Sequence, residues 1–327
     1  MRSLQYWTTG PGASEIREAD APTPGEGQVL IETLVSGISR GTEGLVARGQ
    51  VPSEIAHLMR APNQLGELPF PVSHGYLNVG VVLEGPDRLM GQRVFTLSGH
   101  RQHVLMDAED CHVVPQEMPT ERALLAGIAE VALNAVWEAQ LTLTDRAAVV
   151  GAGLVGLCAG LLAQRAGAEV LMVEPQEERR HLCRQLGLNA VSPEDAPGDH
   201  DVTVHTSAAA AGLETALRIA GDDGSVIELS WYGTRSPEVP LGADFHARRL
   251  SIVGVQVGEV AAPKRLRRTR RERLGAALTL LDDDRFDRLI TGHTALHELP
   301  QRMGSLLDES ETILHVVDHP RHRRSNR

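Results

Sequence analysis

The chain has 327 residues, a formal net charge of -11 and 42% hydrophobic residues, and only 3% of the chain is aromatic. This length allows two domains, and the scarcity of aromatic residues predicts an aliphatic core. The acidic balance argues against nucleic acid as the main partner, because phosphate backbones require clustered Lys and Arg. No stretch approaches the roughly 18 apolar residues of a membrane-spanning helix, and none resembles a signal peptide, so we expect no membrane partner.

The three cysteines are Cys111, Cys158 and Cys183, which are far apart and show no CxxC spacing. An odd number of widely spaced cysteines argues against a disulfide framework. The cysteines therefore favour a reducing, cytoplasmic location.

Two basic segments interrupt the acidic composition, residues 264–273 (KRLRRTRRER) and residues 321–327. Charge runs of this kind usually lie in solvent. We interpret them as a solvated helix face and a frayed end. An anionic substrate or partner near 264–273 is the alternative.

The first 120 residues are predicted to be rich in β-structure. Short apolar segments of alternating character are separated there by Gly, Pro and Asp turns, which is typical of strands. Residues 49–75 are a long irregular stretch, and a loop of this length is usually functional, so we expect it to shape a substrate pocket. The predicted strands span residues 28–36, 78–84, 93–97 and 103–106.

From residue 121 the pattern changes to strands that alternate with helices. This alternation predicts βαβ units and a parallel sheet that is covered on both faces. The predicted helices span 121–138, 154–166, 177–186, 209–220, 273–282 and 300–307. The predicted strands span 147–150, 169–173, 201–205, 225–230, 250–256, 289–291 and 312–317.

A glycine-rich turn, residues 151–156 (GAGLVG), follows the apolar strand 147–150 and opens a helix. In this context a GxGxxG motif predicts a dinucleotide site. The first glycine permits the tight turn, the second lets the backbone approach the pyrophosphate, and the third allows close helix–strand packing. The free N–H groups at the helix start favour phosphate. The predicted cofactor contacts here are Gly151, Gly153, Leu154, Val155 and Gly156.

Glu174 ends the second strand of this predicted fold. An acidic side chain at that position hydrogen-bonds the ribose hydroxyls of the adenosine and repels a 2′-phosphate. We therefore expect NAD(H) to be preferred over NADP(H). Arg179, a few residues further on, is a further predicted cofactor contact that softens this preference.

Two segments and the nucleotide fold make the chain similar to the medium-chain dehydrogenase/reductase superfamily of zinc alcohol dehydrogenase-like proteins. The segments are residues 36–43 (SGISRGTE) and 74–80 (HGYLNVG), and both most resemble a branch that includes bacteriochlorophyllide dehydrogenases. The resemblance covers nearly the whole chain. It implies an α/β protein, with a GroES-like β-rich catalytic domain and a Rossmann doubly wound parallel sheet. It also implies a homodimer that acts on a small-molecule substrate.

The resemblance assigns residues 1–120 and 261–318 to the catalytic domain and residues 121–260 to the Rossmann domain. We expect residues 319–327 to be a flexible basic tail. The two catalytic segments are thus separated in sequence by the inserted nucleotide-binding domain.

The chain departs from the superfamily at the zinc ligands. Ser39 stands where zinc-dependent members carry Cys, and Tyr76 and Leu77 stand where they carry a His-Glu pair. Residues 124–130 contain no Cys or His, so Glu130 is the only candidate donor there. The lobe with four cysteines for a structural zinc is also absent. Because tetrahedral zinc needs three or four Cys, His or carboxylate ligands, we predict neither catalytic nor structural zinc.

Another group of metal-ligand residue types comprises His100, His103, Cys111 and His112. The first two are three residues apart, so on a strand they point to different faces. We therefore interpret these histidines as surface residues, not as a metal site.

Without zinc, hydrogen-bond donors must stabilise the charge that develops on the substrate oxygen. Tyr76 is the first candidate donor, with a packing role as the alternative. Ser39 and Thr42 are candidate catalytic hydroxyls, Thr42 as a relay. Glu43 is a candidate base or an orienting group for Arg40, with a helix N-terminal carboxylate as the alternative. Arg40 is a candidate contact for the pyrophosphate.

Ligands bind at the carboxyl ends of strands in open α/β sheets. Trp231 and Tyr232 follow a predicted strand, and we expect one of them to line the nicotinamide or substrate pocket. Glu130 and Asn134 are further candidates for the substrate pocket. We assign Ser207 and Ser230 to the cofactor site.

These features predict a zinc-independent, NAD(H)-dependent oxidoreductase that acts on an alcohol/ketone pair. One alternative is an enoyl or quinone reductase that reduces C=C bonds. The other is a dinucleotide-binding protein without catalysis.

Overall fold

The computed structural model of the protein describes residues 2–321. Within the described chain, residues 2–127 and 286–321 form one compact unit, and Ile128–Arg285 forms another. We call these the first unit and the second unit. The helices are α1 (Arg40–Ala47), α2 (Thr120–Ala123), α3 (Ala126–Glu138), α4 (Leu154–Arg165), α5 (Glu177–Gln185), α6 (Ala210–Ile219), α7 (Arg270–Leu280) and α8 (Leu299–Asp308).

The strands of the first unit are β1 (Arg2–Gly10), β2 (Ala13–Asp20), β3 (Gln28–Ile38), β4 (Leu65–Gly66), β5 (Val72–Ser73), β6 (Asn78–Glu84), β7 (Arg93–Thr96), β8 (His103–Asp107), β9 (His112–Val113), β16 (Ile290–Ala295) and β17 (Leu314–Asp318). The strands of the second unit are β10 (Arg146–Val150), β11 (Glu169–Val173), β12 (Asn189–Val191), β13 (His200–His205), β14 (Ala220–Glu228) and β15 (Ser251–Gly254).

The first unit is built around strand β3. Its larger sheet has the order β16-β17-β3-β6-β7-β9, and β8 pairs with β3 as well. Strand β17 lies antiparallel to β3, with His315 opposite Ile38, so the last part of the described chain completes this sheet. A smaller sheet has the order β2-β1-β5-β4.

The second unit contains a parallel sheet in the order β12-β11-β10-β13-β14-β15. This is the Rossmann order, in which the chain reverses direction across the sheet between the first and fourth strands, here β10 and β13. The core beneath α6 is aliphatic, with Val150, Val173, Leu213 and Val226 buried. The predicted fold class, a GroES-like β-rich domain with a Rossmann domain, is confirmed.

The compact units differ from the predicted domain bounds at both ends of the second unit, which was predicted to begin at residue 121 and begins at Ile128. The prediction ended it at residue 260, whereas it extends to Arg285. The physical reason is a buried ion pair of 3.0 Å between Arg273 on α7 and Glu130 on α3, which ties residues beyond 260 to a helix of the second unit. Arg273 is 1% exposed, so the predicted solvated face of residues 264–273 does not include it.

The flexible tail was predicted to begin at residue 319, which is too early. His319 is buried, and its backbone N–H donates to Leu34 O over 3.2 Å, which extends the pairing of the last strand. Residues 322–327, the rest of that tail, lie outside the described residues. Between residues 2 and 321, no helix combines the length and the apolar character needed to cross a membrane.

Candidate functional site

The glycine-rich turn connects β10 to α4. Gly151 has a φ of +107°, a conformation that side chains disfavour, and a Cβ on Gly156 would overlap Gly151 O. A Cβ on Gly153 would meet only Arg179 Nη1, at 3.8 Å. The fold itself therefore requires the first and third glycines. The second glycine is not required by packing, because the space beside its Cα is open. Of the helix residues that follow, Leu154 is buried and Val155 is partly exposed.

This open space fits a dinucleotide pyrophosphate. Gly153 caps α4, where the first N–H groups of the helix have no partners within the helix. The absence of a side chain on its approach is the feature that close contact with phosphate requires. The residues of the turn thus fit the cofactor that the sequence predicts.

Glu174 lies against the turn and is 5% exposed. Its Oε2 accepts a hydrogen bond from Ala152 N over 2.8 Å, and its Oε1 accepts one from Gln176 N over 3.0 Å. Arg179 Nη1 donates to Ala152 O over 3.2 Å, so a guanidinium flanks the same turn. A carboxylate and a cation therefore both border the predicted cofactor site.

Beside the turn, the carboxyl ends of β13 and β14 carry a polar cluster around His205. His205 Nδ1 lies 2.8 Å from Glu228 Oε2, and His205 Nε2 lies 2.7 Å from Ser207 Oγ. The Tyr232 hydroxyl donates to Glu228 Oε2 over 3.2 Å, and Ser230 Oγ lies 3.3 Å from His205 Nδ1. Sequence reasoning missed His205 and Glu228, although it named the three other members of this cluster.

The cluster adjoins the glycine-rich turn directly. Thr206 Oγ1 donates to Gly151 O over 2.9 Å, and a Cβ on Gly151 would lie 3.0 Å from Ser207 N. Two groups in the cluster are electrostatically perturbed. Burial raises the pKa of Glu228, but the hydrogen bond and charge of His205 and the hydrogen bonds of Ser230 outweigh it, and the net pKa is lowered. Burial and the charge of Glu228 raise the pKa of Tyr232.

In the first unit, Tyr76 is close to two of the other predicted catalytic residues. Burial raises the pKa of Tyr76 to about 12, although hydrogen bonds with the Ser39 and Thr42 side chains oppose the shift. Its ring stands nearly perpendicular to that of His74, with 6.0 Å between centroids. The phenol is thus a hydrogen-bond donor that stays protonated at physiological pH.

Glu43 joins a buried chain of polar side chains in the same unit. Its Oε1 accepts from Ser39 N over 2.8 Å, and its Oε2 lies 2.9 Å from His100 Nε2. Ser36 Oγ lies 2.7 Å from His100 Nδ1 and 2.8 Å from His319 Nε2. All five residues are buried, so this chain holds the Glu43 carboxylate in place.

The interpretation of the histidines as surface residues was wrong. His100 is 1% exposed and His103 is 2% exposed, and Cys111 is buried as well. Packing within the first unit buries these residues, and His100 has Ser36 and Glu43 as partners far away in sequence.

Other predicted site residues form hydrogen bonds within the protein. Arg40 donates to Leu307 O over 3.3 Å and to Thr312 O over 3.0 Å. These bonds tie the start of α1 to the segment around the end of α8. The expectation that Arg40 contacts pyrophosphate gains no support from them.

Glu130 and Asn134 belong to the buried network around Arg273. Arg273 Nη1 donates to Asn134 Oδ1 over 2.7 Å, and Asn134 Nδ2 donates to Glu259 O over 3.1 Å. Burial raises the pKa of Glu130, while the charge of Arg273 opposes the shift. These partners give Glu130 and Asn134 a structural role, and their contacts do not support the expected place in a substrate pocket. Trp231 is partly exposed at the end of β14.

The positions of the superfamily's zinc ligands hold a hydroxyl, a phenol and an aliphatic side chain. Leu77, the third of these, is completely buried. Among residues 2–321, no group of three or more His, Cys, Asp or Glu side chains is arranged to hold a metal ion.

Comparison with known proteins identifies similar sequences among dehydrogenases. Residues 155–272 match the family model described as zinc-binding dehydrogenase. The 2-dehydro-3-deoxy-L-galactonate 5-dehydrogenase of Pseudoalteromonas atlantica is 26% identical over 165 residues, or 47% of this chain and 48% of that protein. The (R,R)-butanediol dehydrogenase of Bacillus subtilis is 26% identical over 229 residues, or 67% of this chain and 64% of that protein. The chain therefore spans about half of the first relative and under two thirds of the second.

Solved structures share the whole fold. The 2R,3R-butanediol dehydrogenase of Bacillus subtilis has a TM-score of 0.78 at 21% identity and covers 98% of this chain and 100% of its own. A dehydrogenase of Sinorhizobium meliloti described as zinc-binding, bound to NADP, has a TM-score of 0.78 at 19% identity over 97% of this chain and 99% of its own. An E. coli alcohol dehydrogenase in complex with NADH has a TM-score of 0.77 at 16% identity over the same shares.

At these identities the structural likeness establishes the fold, and the two cofactors leave the choice between NAD and NADP open. The sequence matches are to proteins named as dehydrogenases. The family model matches residues 155–272, and together with the relatives named as dehydrogenases it supports a likeness to zinc-type alcohol dehydrogenase-like proteins.

Proposed function

We propose that this protein is a zinc-independent, NAD(H)-dependent oxidoreductase that transfers a hydride between nicotinamide and an alcohol/ketone substrate. The observation that carries the proposal is the glycine-rich turn with Glu174 against it. The open approach at Gly153 suits a pyrophosphate, and the buried carboxylate disfavours a 2′-phosphate. The dehydrogenase names of the relatives agree with this reaction class.

The second unit would hold the cofactor. Ribose hydroxyls can donate to Glu174, because a carboxylate accepts more than the two hydrogen bonds that it receives from the backbone. The proposed cofactor-binding residues are Gly151, Gly153, Leu154, Val155, Gly156, Glu174, Arg179, Ser207 and Ser230. The cofactor supplies hydride chemistry when bound, and the protein supplies position and electrostatics.

Tyr76 is the proposed hydrogen-bond donor to the reacting oxygen. The raised pKa of Tyr76, about 12, keeps its hydroxyl protonated, so it can donate to a developing alkoxide. Ser39 and Thr42 hold the phenol by hydrogen bonds, and Glu43 fixes the Ser39 backbone. In this proposal the phenol does what a zinc ion does in zinc-dependent relatives, namely stabilise negative charge on oxygen.

Zinc independence rests on the chemistry of the positions that hold the metal in zinc-dependent relatives. Ser39 is a hydrogen-bonding neighbour of the Tyr76 side chain, and Leu77 offers no donor atom. A hydroxyl and a phenol with a raised pKa are poor substitutes for the thiolate, imidazole or carboxylate ligands that zinc prefers.

We also propose that the enzyme acts in the cytoplasm as a homodimer. The three cysteines are free and buried, which agrees with a reducing compartment. The homodimer follows from the resemblance to the superfamily, and size-exclusion chromatography with light scattering tests it.

The cofactor assignment is tested by Glu174→Gln, which keeps the size of the side chain and removes its charge. One unit charge about 4 Å from a phosphate contributes roughly 1 kcal/mol in water and more in a less polar site. We therefore expect the ratio of NADPH to NADH affinity to rise by at least about fivefold. Fluorescence titration with both cofactors measures the ratio. An unchanged ratio would remove the basis for the preference for NAD(H).

A further inference from the structure

The cluster around His205 stands at the point of the sheet where ligands bind in Rossmann folds. His205 and Glu228 are the last residues of β13 and β14, and they are opposite each other in the register of the two strands. The glycine-rich turn follows β10 on the other side of β13. The cluster thus lies at the switch point between β10 and β13, outside the carboxyl ends of the strands.

The order of the hydrogen bonds defines the protonation pattern of the imidazole. Glu228 accepts hydrogen bonds on both oxygens, from Ser230 N over 2.7 Å and from the Tyr232 hydroxyl over 3.2 Å, as a carboxylate does. His205 Nδ1 therefore carries the proton in its 2.8 Å hydrogen bond to Glu228 Oε2. In the neutral ring Nε2 is then an acceptor, and Ser207 donates its hydroxyl proton to it over 2.7 Å. Tyr232 and Ser230 are the other polar side chains that face the ring.

The cluster has a buried end and an exposed end. His205 is completely buried, and the side chain of Glu228 is 13% exposed. Ser207 is exposed. A proton taken up by Ser207 from outside can therefore pass to His205 while the imidazole stays shielded from solvent.

The surrounding backbone holds Ser207 tightly. A Cβ on Gly212 would overlap Ser207 Oγ and would lie 2.8 Å from His205 Nε2, so α6 approaches the pair where only glycine fits. Ala208 N donates to Ser230 Oγ over 3.0 Å, which fixes the turn after Ser207. Because this bond engages the Ala208 N–H, that group is not free to stabilise an oxyanion, as acyl transfer at Ser207 would require.

Resting on the function proposed above, we propose that Ser207, His205 and Glu228 form a proton relay for alcohol oxidation. The substrate C–H bond breaks with its electron pair leaving as hydride to the nicotinamide, and the hydroxyl proton passes to Ser207 Oγ. The proton of Ser207 moves at the same time to His205 Nε2, which gives an imidazolium paired with the Glu228 carboxylate. The proton then returns through Ser207 to solvent. Ketone reduction runs through the same steps in reverse.

The first test reads the imidazole tautomer directly and needs no turnover. Histidine is labelled with ¹⁵N, the His205 signals are assigned by their loss in His205→Gln, and spectra are recorded at alkaline pH. The relay predicts the tautomer with the proton on Nδ1, and a shift of the Nε2 resonance in Ser207→Ala. It also predicts that Glu228→Gln, whose amide can donate to Nδ1, moves the proton to Nε2. A wild-type ring protonated on Nε2 would overturn the relay, because Ser207 could not then pass on a proton.

The second test separates the relay from cofactor binding. His205→Gln and Glu228→Gln, at residues that are not proposed cofactor contacts, should each lower kcat by about 100-fold or more, with NADH affinity within about threefold of wild type. Ser207→Ala should lower kcat by a similar factor. Matched controls lie on the same strands outside the cluster: His200→Gln at the start of β13 and Ser225→Ala, three residues before Glu228 on β14, should keep wild-type kcat.

The outcomes distinguish the two proposals. Full turnover in Ser207→Ala and His205→Gln, from an active wild type, would overturn the relay and leave the proposed function standing. A wild type that binds NADH and turns over no alcohol or ketone would overturn the proposed function, and the relay with it.

Discussion

The substitution Gly153→Ala tests the cofactor site without disturbing the fold. The new Cβ would meet only Arg179 Nη1 at 3.8 Å, an ordinary contact. Alanine is a poorer N-cap than glycine by about 1 kcal/mol, but it also reduces the freedom of the unfolded chain by about 0.4–1 kcal/mol. The net change in unfolding free energy should stay below about 1 kcal/mol, and Tm should shift by no more than about 3 °C.

The effect on NADH binding should be much larger. The methyl group would occupy the open approach to the helix N–H groups, and each charge-assisted hydrogen bond to phosphate contributes about 1.5–3 kcal/mol. Loss of one such bond weakens NADH binding by at least about tenfold. Fluorescence titration and a thermal melt on the same sample measure both quantities.

Gly156→Ala is the matched control in the same turn. Its Cβ would overlap Gly151 O, so this substitution should lower Tm markedly before any ligand is added. A Gly153→Ala protein that keeps its Tm and binds NADH as tightly as the wild type would refute the placement of the pyrophosphate at this turn.

Two further substitutions test the first unit and the buried network of the second. Tyr76→Phe should lower kcat about 100-fold with little change in NADH affinity, since it removes one donor to the developing alkoxide; unchanged steady-state kinetics would exclude Tyr76 from the mechanism. Arg273→Met should lower the unfolding free energy by about 3–5 kcal/mol, because Glu130 is left buried without its partner. Adding Glu130→Leu should restore part of that loss in urea unfolding, and a double variant no more stable than Arg273→Met would contradict the assignment.

The sequence predicted the parts of the fold whose residues carry a strong local pattern. The apolar strand before the glycine-rich turn, the turn and helix α4 were placed correctly, because the motif and the apolar run occur together. The hairpin of β1 and β2 was missed. Strand β2 (ASEIREAD) has no buried residue, so hydrophobic alternation could not reveal it, and its structure depends on pairing with β1.

The polar clusters were not predicted for a different reason, because they are assembled from residues that are distant in sequence. His100 contacts Ser36, 64 residues away, and Glu43, 57 residues away. His205 and Glu228 meet because β13 and β14 are neighbours in register. A signal for this pair was present, since each is a polar residue at the end of an apolar strand in a predicted parallel sheet. The burial of Arg273 could not be predicted from the sequence, because this residue lies within a run of charged residues.

Hydride transfer by protein depleted of zinc tests the central claim most directly. Purified protein is treated with a chelator, its metal content is determined by elemental analysis, and NADH oxidation is followed with a panel of ketones and sugar carbonyls. We predict turnover at well below one zinc ion per chain, with no gain when zinc is added back. Stoichiometric zinc in the active protein, or activity that appears only after zinc is restored, would contradict the account.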